Sequence, residues 1–216
     1  MLLLFKLLLT KFVIKEMINN KFINTTRSIS FNYKTKKFYK RNIRPPYIWF
    51  FTDVKKTQRP LTTIKVLPKK SGVVIRNYSH TEQINIREIK KYRHSRILTI
   101  LAAGKYTKHN YIDGVHYPRW LQSYNIKNNV IKSISVHGGK DIRKSINLKA
   151  NLVFIAPIFK TTSHKEQNCL GVIKLGLLAK LYKVPVIALG GINEHNVSRL
   201  KGLPILGCAG IDVFIK

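Results

Sequence analysis

Acidic residues are scarce in this chain: nine Asp and Glu stand against forty Lys and Arg in 216 residues, for a formal charge of +31. So few carboxylates leave few builders for a multi-carboxylate magnesium centre. Cysteine is nearly absent too. Cys169 and Cys208 are too few for a disulfide framework and lack metal-ligand spacing, which fits a reducing, cytoplasmic compartment. Neither thiol sits in an activating motif, so both read as buried or incidental. The opening MLLLFKLLLTKFVIK is apolar but broken by Lys6 and Lys11, too short and too charged for a spanning helix. No zinc-finger spacing or aromatic-basic RNA-binding signature accompanies the positive charge.

The charge itself has three readings. Clustered Lys and Arg neutralise phosphates in nucleic-acid binders, or hold a protein to an anionic membrane surface. The third is a Lys/Asn/Ile-biased composition, and it fits best because the positives run along the whole chain. Residues 1–45 stand apart, with eleven Lys and Arg, one acid (Glu16), no glycine and one proline (Pro45). They read as a basic extension: an amphipathic surface helix, an organellar targeting segment or a misplaced start. Fold reasoning begins at Pro46, and a single domain over 46–216 is expected.

From there, apolar runs recur with helix-length spacers. Strands are expected at 47–52, 72–76, 96–102, 112–116, 130–136, 152–158, 184–189 and 210–215, and helices at 81–92, 139–148, 170–182 and 193–201. The runs are continuous rather than alternating, as in strands buried on both faces. Eight of them predict an α/β fold, a (β/α)8 TIM barrel lacking the final helix, with a doubly wound open sheet as the alternative. The first and third connections are short enough to be turns.

In such barrels function sits in the loops after the strands. After the sixth strand, Thr161, Ser163, His164 and Lys165 offer hydroxyls and cations to phosphate oxygens. After the seventh, Gly190 and Gly191 let backbone N–H groups approach an anion. Arg76 ends strand two as a potential anion clamp. Ser135 and His137 close strand five, where an imidazole can move a proton near neutral pH. His116 closes strand four, and Asp53 at the tip of strand one is the carboxylate best placed for base or metal work.

Taken in order, four segments resemble one family, thiamine-phosphate synthase and its TenI-like relatives. Asp113–Gly114–Val115–His116 is similar to the family's DGVH, and Ser135–Val136–His137 to its S-x-H. Residues 157–164, PIFKTTSH, resemble its P-[VI]-F-x-T-x-[ST]-K loop, and 185–192, PVIALGGI, its P-V-x-A-x-G-G-I. The resemblance runs over about residues 47–216. It implies a barrel that couples hydroxymethylpyrimidine diphosphate to thiazole phosphate with release of pyrophosphate. The threonine loop would hold the pyrophosphate, the glycine turn would hold the thiazole phosphate, and Mg2+ would assist departure.

The sequence also departs from the pattern. Leu101–Ala102–Ala103–Gly104 stands where the family has a magnesium-binding Asn-Asp-Arg, and residues 117–121, YPRWL, stand where a second carboxylate is expected. Val74 replaces a glutamine two positions before Arg76, and His164 replaces the loop lysine, with Lys165 next to it. The metal ligands are therefore unknown. The resemblance leaves three readings: the synthase, a TenI-like thiazole tautomerase using His137, or a non-catalytic barrel that binds a phosphorylated ligand. The resemblance implies small phosphorylated pyrimidines and thiazoles as partners; no specific nucleic acid is expected, and a homo-oligomer is compatible with the sequence.

Overall fold

A strand with bulky apolar residues on both sides needs two hydrophobic surfaces to cover it. The computed structural model supplies them by closing the sheet. It describes residues 20–33, 45–53, 56, 60–76, 86–96, 99–103, 112–121, 130–161 and 168–214. The strands are β1 (Ile48–Phe51), β2 (Gly72–Arg76), β3 (Thr99–Ala103), β4 (Gly114–Tyr117), β5 (Ile131–Val136), β6 (Leu152–Ile155), β7 (Val186–Leu189) and β8 (Gly207–Gly210). Each pairs in parallel with the next, and β8 returns to β1 to close the barrel. This is the (β/α)8 architecture that the sequence predicts, not the open sheet.

The two faces have separate cores. Trp49, Phe51, Val74, Leu101, Phe154 and Ile187 fill the barrel interior. Ile48, Phe50, Val73, Ile75, Val153 and Val186 face outward beneath the helices. Small residues make the interior packing fit. A Cβ on Gly72 would collide with the Trp49 indole, so glycine there admits the largest side chain of the core. Trp49 meets Phe154 edge to face at 5.3 Å, and its Nε1–H donates to the Pro46 carbonyl at 2.8 Å.

Around the sheet lie α2 (Pro60–Val66), α3 (Ile86–Arg96), α4 (Ile142–Asn147) and α5 (Gly171–Leu181). Several expected boundaries move. β3 starts at Thr99 and Arg96 ends α3, while residues 97–98 lie outside the described residues. β6 stops at Ile155, where a cis Ala156–Pro157 bond turns the chain. The expected helix at 193–201 is one 3-10 turn, Val197–Leu200. Strand eight is Gly207–Gly210 rather than 210–215, because Cys208 pairs with both Ile48 and Ala188. Residues Asp212–Phe214 form a 3-10 turn at the strand's end.

No helix follows β8 among the described residues. The outer face of the β8–β1 seam is covered by α1 (Asn20–Phe31), drawn from the stretch set aside in the sequence. Phe22 is fully buried and meets Phe214 edge to face at 5.6 Å; Phe214 meets Phe50 of β1 at 5.7 Å. Among the described residues no helix is long and apolar enough to cross a membrane.

Candidate active site

The mouth of the barrel, at the C-terminal ends of β1, β2, β6, β7 and β8, holds a cavity of about 340 Å³. Arg76, Thr161, Gly190 and Gly191 all line it, with Phe51 among the apolar residues of its wall. Arg76 is fixed from three directions. Its backbone N–H donates to the Thr52 hydroxyl at 2.9 Å, its Nε to the Thr52 carbonyl at 2.6 Å, and its Nη2 to Asp53 at 2.9 Å. The guanidinium carbon lies 6.0 Å from the Phe51 ring centre. Its charge is thus held at the rim, half-buried, with Asp53 as counter-ion.

The opposite wall is built by the β6 and β7 ends locking together. Ile158 N–H donates to the Leu189 carbonyl at 3.1 Å, and Phe159 N–H to that of Gly190 at 3.0 Å. Gly190 and Gly191 have φ of 94° and 69°, in the left-handed region where a side chain is strained. A Cβ on Gly191 would also strike the carbonyl oxygens of Phe159 and Lys160. The glycine pair is therefore what allows the threonine loop to lie against β7. Asn196 Nδ2 holds the turn from behind, donating to the Gly191 carbonyl at 2.8 Å. Asn193 Oδ1 accepts the N–H groups of His195 and Asn196 at 2.9 and 3.2 Å.

Ser163, His164 and Lys165 lie outside the described residues. His137 is half-buried, its backbone N–H donating to Asp141 at 2.7 Å, and is not among the cavity's lining residues. Ser135 turns inward, its hydroxyl on His116 at 3.0 Å. His116 is buried inside the barrel; desolvation, and then the Arg76 charge, push its pKa down to about 3. Asp113 of the DGVH segment faces away from the mouth. It accepts the Ile100 N–H at 2.8 Å and pairs with Arg93, pinning α3 to the sheet. Cys208 is buried, with its thiol pushed up to about 12 by desolvation, and Cys169 is exposed.

Asn193, Glu194 and Asp212 also line the cavity, and none of them is marked as a site residue by the sequence. The signal for Asn193 was its place two residues after the glycine pair. Asp212 gave none, because the position of the β8 end decides where it lies. For a magnesium ion the described residues do not fit. They contain no group of three or more His, Cys, Asp or Glu side chains able to hold a metal. Asp53 is engaged by Arg76, and Asp212 by Lys56 at 3.0 Å.

Residues 112–214 match the family model TMP-TENI, thiamine monophosphate synthase. The chain is 34% identical to a thiamine-phosphate synthase of Prochlorococcus marinus subsp. pastoris over 71 residues, 33% of this chain and 20% of that protein. It is 31% identical to the thiamine-phosphate synthase of Clostridium tetani over 85 residues, 39% of this chain and 41% of that one. A relative from Aquifex aeolicus is 31% identical over 110 residues, 58% of its length. The chain thus spans from a fifth to under two thirds of these relatives. Among solved structures, thiamine phosphate pyrophosphorylase from Pyrococcus furiosus superposes with a TM-score of 0.60 at 17% identity, over 76% of this chain and 85% of that one. That likeness shows the barrel fold.

Proposed function

We propose that this chain, whose residues 112–214 match the thiamine monophosphate synthase (TMP-TENI) family model, belongs to that family and acts in thiamine biosynthesis as a synthase-type transferase. It would couple hydroxymethylpyrimidine diphosphate to thiazole phosphate and release pyrophosphate. What carries the reading is the cavity, with a fixed guanidinium on one wall and a hydroxyl and a glycine turn on the other.

The reaction makes modest demands on proton chemistry. The methylene C–O bond breaks with its electron pair going to the diphosphate, and the thiazole nitrogen's lone pair forms the new C–N bond. Catalysis is then charge stabilisation of the leaving group and alignment of the acceptor. Arg76 and the Thr161 hydroxyl would oppose the charge that grows on the diphosphate. The open backbone at Gly190–Gly191 would seat the second phosphate, with Phe51 as an apolar wall. The family's Mg2+ finds no ligand set among the described residues, so no step here runs through a metal.

The tautomerase alternative needs His137 at the reacting ring, and His137 does not line the cavity. The synthase reading is tested at Thr161. Thr161→Ala should lower kcat/KM for the diphosphate substrate by about tenfold or more, the loss of one hydrogen bond to a charged group. Unchanged kcat/KM removes that assignment, and tight ligand binding without turnover points to the non-catalytic barrel.

A further inference from the structure

We propose that the outer face of α5 docks on an anionic phospholipid surface. Ile173, Leu177 and Leu181 enter the lipid, and Lys174 and Lys180 meet the headgroups. None of these residues lines the mouth cavity, so the docking face is separate from the reaction proposed there.

α5 is apolar all round. Leu175, Leu178 and Ala179 are buried in the core beneath the helices. The opposite side leaves Ile173 82%, Leu177 61% and Leu181 59% exposed. A helix that is hydrophobic on every side is ordinarily covered on every side, and here only the inner one is. Their spacing of four residues stacks the three exposed side chains into one ridge, about 12 Å long. Lys174 and Lys180, both exposed, fall on its two flanks, about 60° either side of Leu177. On the neighbouring α4, Ile146 is exposed as well. So is Trp120, whose turn is tied to α4 by Lys144 Nζ, donating to the Arg119 and Leu121 carbonyls at 2.8 and 3.0 Å.

Charge selects the occupant. Exposed Lys140, Arg143, Lys149 and Lys183 add to the two flanking lysines. Among the described residues of 130–183 the one acid is Asp141, mostly covered, accepting the His137 N–H and lying 3.9 Å from Arg119. Lysine is common throughout this chain; an apolar ridge set between lysines is not what a lysine-rich composition produces. A second copy would bring a charge of +31 against its like. Residues 1–19 are apolar but carry Lys6, Lys11 and Lys15 against Glu16, again the wrong sign. To an acidic protein, a convex helix ridge offers neither a groove nor a free backbone edge. An anionic bilayer takes the ridge between its headgroups, while the lysine stems lie along the apolar surface and their ammonium groups reach the phosphates.

The test floats the full chain with vesicles of phosphatidylcholine, alone or mixed with phosphatidylserine. Two variants accompany it: Ile173→Ser, Leu177→Ser and Leu181→Ser combined, and Lys174→Glu with Lys180→Glu. The wild type should float with the mixed vesicles and stay behind with the neutral ones. Each variant should lower the partition by about tenfold or more, with an unchanged midpoint of chemical unfolding. If the serine variant does not fold, the lysine pair decides alone. Absence of binding, equal binding to neutral vesicles, or binding that both variants keep overturns the proposal. A wild-type dimer in gel filtration that the serine variant dissolves makes this face a contact between copies. Soluble polyglutamate that binds the wild type and not the serine variant makes it a site for an acidic protein. Either result also overturns docking on lipid.

Discussion

At the scale of single residues, His116 couples burial to pH-dependent stability. Its ring is 1% exposed and its pKa falls to about 3, against 6.5 for a free histidine. Between those values the unfolded chain binds a proton that the folded chain refuses. The neutral ring's contribution is therefore intact above pH 6.5 and is lost as pH falls towards 3. The expected slope is about 1.4 kcal/mol per pH unit in that window. Urea unfolding of the wild type and of His116→Gln at pH 7, 6, 5 and 4 checks this: the variant's curve should be flatter by about that amount, and parallel curves contradict the assignment. None of this was legible in the chain's letters. As a strand-closing histidine His116 is an unremarkable core residue. Only the pairing of β4 with β5 brings Ser133 and Ser135 within hydrogen-bond reach of its ring. Arg76, Thr161 and the glycine pair were easier to locate, since strand ends can be counted from apolar runs. Asp53, expected to do base or metal work, pairs with Arg76 in the structure.

At the scale of elements, β1 to β7 each fall on an apolar run legible in the sequence, and β8 does not. β1, β2 and β6 announce themselves by runs such as Ile-Trp-Phe-Phe and Leu-Val-Phe-Ile. β8 is Gly-Cys-Ala-Gly, small because Tyr47 lies against Gly207 and Val213 against Gly210, so nothing in its hydropathy marks it. α1 was hidden for a different reason. Its Phe22, Ile23 and Ile29 are spaced for one face, but they sit in a stretch whose basic composition reads as a tail. That helix does the work of a closing helix on the β8–β1 seam. Phe22→Ala should destabilise the protein by about 3–5 kcal/mol, the cost of emptying a fully buried aromatic site. A change below about 1 kcal/mol in chemical unfolding would mean that the seam does not need α1. For the same reason, removing residues 1–45 should expose Phe50 and Phe214, and any assay of activity belongs on the full chain.

At the scale of the whole molecule, a charge of +31 bears on association rate more than on fold. Phosphorylated substrates should be drawn to the mouth, where Arg76 and Lys160 line the cavity. Raising ionic strength from about 10 to 200 mM spans screening lengths from about 30 to under 10 Å. Over that range kcat/KM for the diphosphate should fall severalfold while kcat holds, and a kcat/KM that ignores salt would assign the charge to composition alone. Transfer of a pyrimidine methylene to a thiazole phosphate can be followed by turnover. Full-length protein would be incubated with hydroxymethylpyrimidine diphosphate, thiazole phosphate and magnesium, and both products followed. A synthase should form thiamine phosphate and pyrophosphate in equal amounts, and folded protein that forms neither is not one.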